Sequence, residues 1–395
     1  MKMRTMKDVP NLAGKNILLR CDFNIKIVDG ELNDTFKITE SLPTIKKLME
    51  QGARIAILSH LGRPKGRDSG ETLAPIAKVL GEMIGKEVLF VTDALDKEFL
   101  KDMKDGAVAL LENVRYYTDE EENNDASFAE KLATGFDIYI NDAFGVSHRA
   151  HASVEAVTKF LPSFGGFLMT KEVETLTKLM ANPTRPLVGI VGSSKVSTKL
   201  GVIRALLGLC DKVIIAGGLG TSFNIVNGNR NIVDKLLYDP AYDETIESLF
   251  AEFGDKIVLG IDKGVGTKFD KSAARTDKKN SDLGVGDIIM DEGPESVRLF
   301  KQVVDGAASV IYNGTLGMAE WGEPWGHSTF ELLRHIAAST QDGKLESIIG
   351  GGDGAGTAKK LGIDGQMTYV STGGGAFLEF IQGLTLPGVA ALMEA

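Results

Sequence analysis

The sequence has few cysteines, no long hydrophobic run and no excess of basic charge, which argues against a disulfide-stabilised, a membrane-spanning or a nucleic-acid-binding protein. Only two cysteines, Cys21 and Cys210, occur in 395 residues, so there is no disulfide framework and a reducing compartment is indicated. No apolar run approaches the roughly 18 residues of a membrane span, and residues 1–10 carry no apolar signal core. The formal net charge of −10 argues against nucleic acid or an anionic membrane as the main partner. We therefore expect a cytoplasmic protein that binds neither.

Several catalytic motifs are also missing. The sequence contains no C-x-x-C, no H-E-x-x-H, no Walker A loop and no Ser-His-acid triad at a recognisable spacing, which argues against zinc chemistry and nucleophilic catalysis. Gly350, Gly352 and Ala355 fit G-x-G-x-x-A, but they follow a late strand instead of opening a βαβ unit. A nicotinamide-dependent oxidoreductase is therefore a minor alternative, and it would leave the arginines described below without a role.

Glycine is in excess, with 46 of 395 residues, or about 12% against the usual 7% or so. The glycines recur in a repeating unit that consists of a short apolar run, a glycine-rich or polar loop and a helical pattern. Such runs predict parallel strands covered by helices on both faces. They lie at 16–20, 54–58, 107–111, 136–140, 186–191, 212–216, 256–261, 309–312, 347–349 and 367–370. Because these strands exceed one small sheet, we expect an α/β fold of two doubly wound, Rossmann-like parallel-sheet lobes.

The boundary between the lobes is expected at residues 171–186. Lys171–Met180 has a helical pattern, and Asn182-Pro183 and Arg185-Pro186 follow it as helix-stop signals. We therefore expect a first lobe over 1–170, a connecting helix or hinge over 171–186 and a second lobe over 187–382. An ordinary surface helix is the alternative reading of the connector.

The predicted strands of the first half end in loops with basic and amide side chains. These loops are residues 20–24, 59–65, 112–115 and 141–151. Ligands of open α/β sheets bind at the carboxyl ends of the strands, and arginine binds carboxylate and phosphate bidentately. We therefore expect a cationic site for a small, highly charged anion in a net-acidic protein. The acidic run 119–125 is expected to be a solvated helix start.

The predicted strands of the second half end in glycines instead. These loops are residues 192–195, 217–220, 313–317, 350–354 and 371–375. Glycine between a strand and a helix lets phosphate reach the free N–H groups of the helix start. Each loop alone is explained by a tight turn, but five such loops at one edge of the predicted sheet favour a nucleotide-binding site. The two halves together predict phosphoryl transfer between a nucleotide and a small anion, in a cleft between the lobes.

From about Asp8 to the C terminus, these loops resemble those of phosphoglycerate kinase. The matching motifs are R-x-D-F-N at 20–24, S-H-L-G-R-P at 59–64, E-N-x-R at 112–115, N-D-A-F-G-x-x-H-R-A-H-x-S at 141–153, K-V-S-x-K at 195–199, the triple glycine with Asp353, S-T-G-G-G-A at 371–376 and L-P-G-V-A-A-L at 386–392. Several of them are long and rare, so the resemblance is specific.

The resemblance implies reversible phosphoryl transfer between 1,3-bisphosphoglycerate and ADP, giving 3-phosphoglycerate and ATP, by a monomer that uses nucleotide-bound Mg²⁺. It implies substrate binding in the first lobe by Asp22, Asn24, Lys37, His60, Arg63, Arg115 and Arg149. It implies nucleotide binding in the second lobe by Lys195, Lys199, Gly217, Gly218, Asn313, Glu320, Gly351, Gly352, Asp353 and Gly354, with Asp353 holding the metal through the nucleotide. Catalytic positions would be Lys37, Lys195, Gly373, Gly374 and Gly375. The tail, 383–395, would return to the first lobe.

Several positions depart from the family pattern. Lys37 stands where the family has a catalytic arginine, and Glu292 where D-I-G-P has isoleucine. Thr198, Thr315 and Gly354 replace an aspartate, a proline and a serine or threonine. The stretch 321–330 follows no family pattern, and either packing or a remodelled nucleotide rim would explain its two tryptophans and His327. A catalytically impaired binding protein of the same family is therefore the alternative function.

Overall fold

The computed structural model describes residues 2–9, 11–67, 69–197, 199–229 and 238–394, so Thr198 lies outside the described residues. The chain divides into two compact units. The first unit comprises Met1–Leu176 with Thr385–Ala395, and the second comprises Thr177–Leu384. The division falls inside the helix Phe167–Ala181, which contains the helix predicted over Lys171–Met180.

The first unit is built on a parallel sheet. Its strands are β1 (Asn16–Arg20), β2 (Ile27–Val28), β3 (Glu31–Leu32), β4 (Arg54–Leu58), β5 (Val88–Val91), β6 (Val108–Leu111), β7 (Ile138–Asn141) and β8 (Ser163–Gly165), and its helices are α1 (Phe36–Glu50), α2 (Ala74–Ile84), α3 (Thr118–Glu122), α4 (Ala126–Ala133) and the first part of α5 (Phe167–Ala181). Six strands form the sheet in the order β5-β6-β4-β1-β7-β8, and β2 and β3 form a separate antiparallel pair.

Alternate residues of the central strands face opposite sides of this sheet. Ile17 and Leu19 of β1 belong to one hydrophobic core, and Leu18 between them belongs to the other. This pattern follows from the two-residue period of a strand. It confirms the prediction of strands covered on both faces. The sequence analysis missed β5, a half-exposed edge strand, and β8, which contains Ser163 and Gly165 and has no apolar run.

The second unit repeats this architecture. Its strands are β9 (Leu187–Gly192), β10 (Lys212–Ala216), β11 (Ile257–Leu259), β12 (Asp262–Gly266), β13 (Thr276–Lys279), β14 (Ile288–Glu292), β15 (Ser309–Asn313), β16 (Glu346–Gly350) and β17 (Tyr369–Val370), and its helices are α6 (Leu200–Leu209), α7 (Gly217–Val226), α8 (Asp243–Phe253), α9 (Pro294–Asp305), α10 (His327–Gln341), α11 (Gly352–Lys360) and α12 (Gly374–Ile381). The parallel sheet has the order β11-β10-β9-β15-β16-β17. The predicted class, two parallel-sheet α/β lobes, is confirmed.

A second, antiparallel sheet of the second unit was not predicted. Strand β12 lies between β13 and β14, with a register shift at Gly264 and Val265. The sequences DKGVG and TDKK of β12 and β13 are polar or glycine-rich, so they give neither an alternating nor a continuous apolar signal. This sheet matters for the site because β14 ends at Glu292, beside the start of α7.

The C-terminal segment packs within the first unit. It contains the short helix α13 (Pro387–Ala390), whose Gly388 N donates to Ser147 O at 2.9 Å, and Arg4 N donates to Leu392 O at 2.9 Å. Both cysteines, Cys21 and Cys210, are buried and unpaired. Among the described helices, none combines the length and the apolar character needed to cross a lipid bilayer.

Candidate active site

Lys37 lies in the first turn of α1, which begins where Asp34 Oδ1 accepts a hydrogen bond from Phe36 N. Its Nζ is 2.8 Å from Asp22 Oδ2 and 3.3 Å from the carbonyl oxygen of Asn24. Burial would raise the pKa of the Asp22 carboxyl, but the charge of Lys37 and the hydrogen bonds from Lys37 Nζ and Asn24 N outweigh it and hold that pKa below its usual range. Asp22 is therefore an anion that anchors Lys37.

A buried guanidinium orients His60 in the same unit. Arg20, to which the sequence analysis gave no role, is 1% exposed, and its Nε donates to Ser153 Oγ at 2.9 Å. Its Nη2 lies 3.3 Å from His60 Nδ1. Because guanidinium can only donate, Nδ1 is the acceptor and His60 is the neutral Nε2–H tautomer. Burial, opposed by Asp22, lowers the pKa of His60 well below its usual value, in agreement with this assignment.

The acidic run 119–125 is not wholly solvated, contrary to the prediction. Glu121 is completely buried, and it accepts hydrogen bonds from Ser153 Oγ at 2.6 Å and Ser153 N at 2.9 Å. Burial raises the pKa of this carboxyl, although the charge of Arg20 opposes the shift. Glu121 thus completes the chain Glu121–Ser153–Arg20–His60. The sequence could not reveal this role of Glu121, because Arg20 is distant along the chain and no pattern in the acidic run distinguishes a buried residue from its exposed neighbours.

Three further arginines of the first unit lie in the predicted loops, and among the described residues only Arg115 of the three has an ion-pair partner, with its Nε 3.8 Å from Glu122 Oε1. Arg115 is buried, and its Nη1 donates to Gly62 O at 2.6 Å. Burial, together with the charge of Arg149, lowers the pKa of Arg115 to about 10. Arg149 is half-buried, and its Nε donates to His148 Nε2 at 3.3 Å. Arg63 is exposed and makes no ion pair with any residue that the structure describes. An anion with several charges would relieve this repulsion.

Asn24 links two loops of this region. Its side-chain Oδ1 accepts a hydrogen bond from Gly62 N at 3.0 Å, while its backbone oxygen faces Lys37. The loops after β1 and β4 are therefore joined at the carboxyl edge of the sheet. The structure thus gathers the predicted residues of the first lobe at this edge, with Arg20 and Glu121 as the buried support that the sequence analysis missed.

The second unit has a cavity of about 780 Å³ at the carboxyl edge of its parallel sheet. Predicted residues in its lining are Lys199, Gly217, Gly218, Glu320, Gly352 and Asp353. Further lining residues, which were not predicted, include Phe269, Met290, Thr357 and Lys360. The described lining does not include Lys195, Asn313, Gly351 or Gly354. Lys195 is exposed at the surface of its loop.

Helix starts form part of the wall of this cavity. Helices α7 and α11 begin at the lining residues Gly217 and Gly352. Helix α12 begins at Gly374, after Gly373, and a Cβ on Gly374 would lie 3.2 Å from Gly352 N. The positive ends of neighbouring helix dipoles therefore meet at this cavity, and they favour a bound phosphate.

Asn313 supports the cavity without lining it. Its Oδ1 accepts a hydrogen bond from Lys199 Nζ at 3.0 Å, and its Nδ2 donates to Gly350 O at 2.8 Å. Gly351, at φ +92°, leaves room for this amide, because a Cβ there would collide with Asn313 Nδ2. Burial lowers the pKa of Lys199, against the nearby charge of Asp353. Asn313 therefore fixes a cation that faces the cavity.

One departure from the family pattern has a local structural reason. Gly354 is buried, and a Cβ on it would lie 3.2 Å from the Tyr312 ring and from Gly314 O, so a larger residue would not fit without a shift. Thr315 lines the cavity in place of the proline of N-G-P. The absent side chain of Gly354 is thus explained by close packing against β15.

The two tryptophans of the stretch 321–330 both contribute to packing. Trp325 is completely buried with Ala273 and Met290, and its Nε1 donates to Lys271 O at 3.2 Å. The Trp321 ring packs against Phe269, with ring centroids 4.9 Å apart, and Phe269 lines the cavity. The packing interpretation is therefore confirmed for Trp325, while Trp321 supports an aromatic residue of the cavity rim.

The chain is similar to known proteins over nearly its whole length. The family model described as phosphoglycerate kinase matches residues 6–384. A curated phosphoglycerate kinase of Borrelia garinii subsp. bavariensis is 39% identical, covering 99% of this chain and 100% of its own, and one of Nostoc punctiforme is 41% identical, covering 98% and 97%.

Solved structures give the same result. The phosphoglycerate kinase of Coxiella burnetii has a TM-score of 0.85 and 32% identity over 99% of both chains. That of Pyrococcus horikoshii has a TM-score of 0.86 and 30% identity over 99% of this chain and 98% of its own. Nothing in these comparisons favours the alternative of an impaired binding protein. The chain therefore belongs to the phosphoglycerate kinase family, and it catalyses reversible phosphoryl transfer from 1,3-bisphosphoglycerate to ADP, giving 3-phosphoglycerate and ATP.

Proposed function

We propose that the first unit binds the phosphoglycerate and the second unit binds the nucleotide. The observation that carries this division is the cluster of Arg63, Arg115 and Arg149 in the first unit, of which only Arg115 has an ion-pair partner among the described residues, against the cavity lined by helix starts in the second. Arginine binds both carboxylate and phosphate groups of a small anion. Helix starts suit the phosphates of a nucleotide.

In the first unit, Lys37 is proposed to contact the transferring group. Its ammonium is held by Asp22 at 2.8 Å, and His60 is held by Arg20, so neither has to reorganise when substrate binds. Phosphoryl transfer needs little covalent help from the protein, and its rate depends on position and charge neutralisation. Lys37 would neutralise charge on the equatorial oxygens of the phosphoryl group.

In the second unit, Lys199 and the starts of α7 and α11 are proposed to hold the nucleotide phosphates, and Gly373, Gly374 and Gly375 to face the transferring group. Lys195, which is exposed, would join them from its loop. Glu320 and Gly218 would contact the nucleoside from the lining. Asn313, Gly351 and Gly354 act on the nucleotide through the residues they position or the space they leave.

We further propose that Mg²⁺ enters with the nucleotide. Within the described ranges, no group of three or more His, Cys, Asp or Glu side chains is arranged to hold a metal by itself. Mg²⁺ commonly takes one or two carboxylates together with substrate phosphates, so the Asp353 carboxylate in the cavity lining fits a metal shared with the nucleotide. When bound, the metal would neutralise phosphate charge.

A coupled assay with 3-phosphoglycerate and a panel of nucleoside triphosphates tests this function. We expect turnover with magnesium-ATP well above about one per second, and its loss on chelation with recovery on added Mg²⁺. Turnover far below about one per second at saturation would instead support the impaired binding protein. The panel would also establish the nucleotide preference.

We also propose that the protein acts as a monomer in the cytoplasm. Two buried, unpaired thiols support a reducing compartment, and the family resemblance supports the monomer. Light scattering across a concentration series tests the oligomeric state, with a constant mass near 42.4 kDa as the expected result.

A further inference from the structure

A fully buried ion pair joins β12 to β14 in the second unit. Lys263 and Glu292 are both 0% exposed, and Lys263 Nζ donates to both carboxylate oxygens of Glu292 at 2.7 Å. Removing two charges from water is costly, and apolar residues of similar size would often be at least as stable there. Glu292 also stands where the family pattern D-I-G-P has isoleucine. Packing alone therefore does not explain the pair.

The Glu292 carboxylate has a third donor, which belongs to the wall of the cavity. Gly217 N donates to Glu292 Oε1 at 2.9 Å. Gly217 is the first residue of α7, so its N–H has no acceptor within that helix. Glu292 supplies the acceptor from another strand. Gly217 and Gly218 line the cavity, whereas Glu292 does not.

Gly260 leaves the space that this carboxylate occupies, because a Cβ on Gly260 would collide with Glu292 Oε2. The carbonyl oxygen of Gly260 accepts hydrogen bonds from Asn224 Nδ2 at 3.1 Å and Asn280 Nδ2 at 2.9 Å. Helix α7 is therefore tied by polar contacts both at its start and along its length.

We propose that Glu292, neutralised by Lys263, is a positioning residue that holds Gly217 and the first turn of α7 in the wall of the nucleotide cavity and so sets nucleotide affinity. The inference rests on the proposed function of that cavity. Lys263 cancels a negative charge that would otherwise repel the nucleotide phosphates. Glu292 acts through Gly217 and does not itself contact the ligand.

Two double variants that differ only in the acceptor at position 292 test the proposal. Lys263→Met/Glu292→Gln removes both charges and keeps an oxygen for Gly217 N, whereas Lys263→Met/Glu292→Leu removes the acceptor as well. We expect the nucleotide KM of the Gln variant to stay within about twofold of the parent, and that of the Leu variant to rise about fivefold or more, the effect of one lost hydrogen bond. The KM for 3-phosphoglycerate should stay within about twofold in both, because no contact with that substrate is altered. Equal nucleotide KM values in the two variants would overturn the proposal.

Control variants separate this proposal from the assignment of the cavity and from general destabilisation. Asp353→Asn should raise the nucleotide KM, and if it does not, the cavity assignment itself fails. If Asp353→Asn raises the nucleotide KM but the two double variants have equal nucleotide KM values, only the positioning role fails. Lys301→Met/Glu331→Gln removes another ion pair of the second unit, with Nζ and Oε2 2.8 Å apart, and should leave both KM values unchanged.

Hydrogen exchange provides a test that needs no variant. If the Leu variant does not fold, exchange of the Gly217 amide in the unaltered protein decides the question. If the Gly217 amide is protected from exchange as strongly as amides inside α7, the result supports Glu292 as its buried acceptor. Exchange at the rate of a free helix-start amide overturns the proposal.

Discussion

The two units present charge to their proposed ligands in different ways. In the first unit, long cationic side chains do so, and the buried Asp22 fixes one of them, Lys37. In the second unit, the glycine-rich starts of α7 and α11 bring backbone and helix dipoles to the cavity wall. A site made of side chains is damaged when atoms are removed, whereas a site made of backbone is damaged when atoms are added. The variants below test this difference.

The largest effect is expected at Lys37. Lys37→Ala should lower turnover by about a hundredfold or more, because the charge of the transferring group would lose its cation in the transition state. Lys37→Arg should raise turnover while the KM for 3-phosphoglycerate stays within about twofold, because a guanidinium contacts two oxygens at once. Steady-state kinetics measure both. If Lys37→Ala turns over like the parent, residue 37 does not belong to the site.

Removing a guanidinium of the first unit should affect one ligand only. Arg149→Ala is expected to weaken 3-phosphoglycerate binding roughly ten- to a hundredfold, the effect of one charge-assisted pair. Nucleotide affinity should not change. Arg63→Ala should behave in the same way. Isothermal titration of each ligand separately measures the difference.

Arg54→Ala is the matched control for these arginine variants. Arg54 begins β4, at the opposite end from the site, and its Nε pairs with Asp105 Oδ1 at 3.0 Å on the surface. Its loss should change neither affinity. If Arg149→Ala weakens both ligands equally, the proposed division between the units is wrong.

Adding one methyl group should damage the second unit. A Cβ on Gly352 meets no protein atom within 4 Å, so Gly352→Ala should fold normally. The methyl would enter the cavity at the start of α11, and we expect the nucleotide KM to rise about tenfold, since it would obstruct phosphate contacts with the helix N–H groups. Gly208→Ala, in an equally open position of α6, is the control and should leave the KM unchanged. An unchanged KM for Gly352→Ala would mean that the helix start does not contact the nucleotide.

The two units also show which strands could be predicted from the sequence and which could not. Strands such as β1 and β10 were predicted with correct bounds, because each is a continuous apolar run buried on both faces. The antiparallel strands β12 and β13 were missed, because their residues are polar or glycine and are positioned only by tertiary contacts. Apolar periodicity predicts a strand or helix only where the apolar side chains of that strand or helix are themselves buried in the core.

The same limit applies to the two sites. The exposed and half-buried cations Arg63 and Arg149 could be identified from loops that follow strands, because strand ends meet at one edge. Glu121 and Glu292 could not, because each looks like an ordinary surface carboxylate until the distant Arg20 or Lys263 is brought to it. Asn313 was identified by resemblance, but only the structure distinguishes a residue that holds Lys199 from one that lines the cavity.

His151 of the first unit is expected to change stability with pH, and not the affinity for either ligand. Burial, with the charges of Arg115 and Arg20, lowers the pKa of His151 to about 3, against about 6.5 for an unfolded histidine. Below about pH 6.5 His151 is therefore protonated in the unfolded chain and remains neutral in the native state. The free energy of unfolding consequently falls as pH decreases from about 6.5 towards 3, by up to about 1.4 kcal/mol per pH unit. His151→Gln, which cannot titrate, should show a shallower loss over this window. Urea unfolding at a series of pH values measures both slopes, and equal slopes would mean that His151 titrates alike in the folded and unfolded chain.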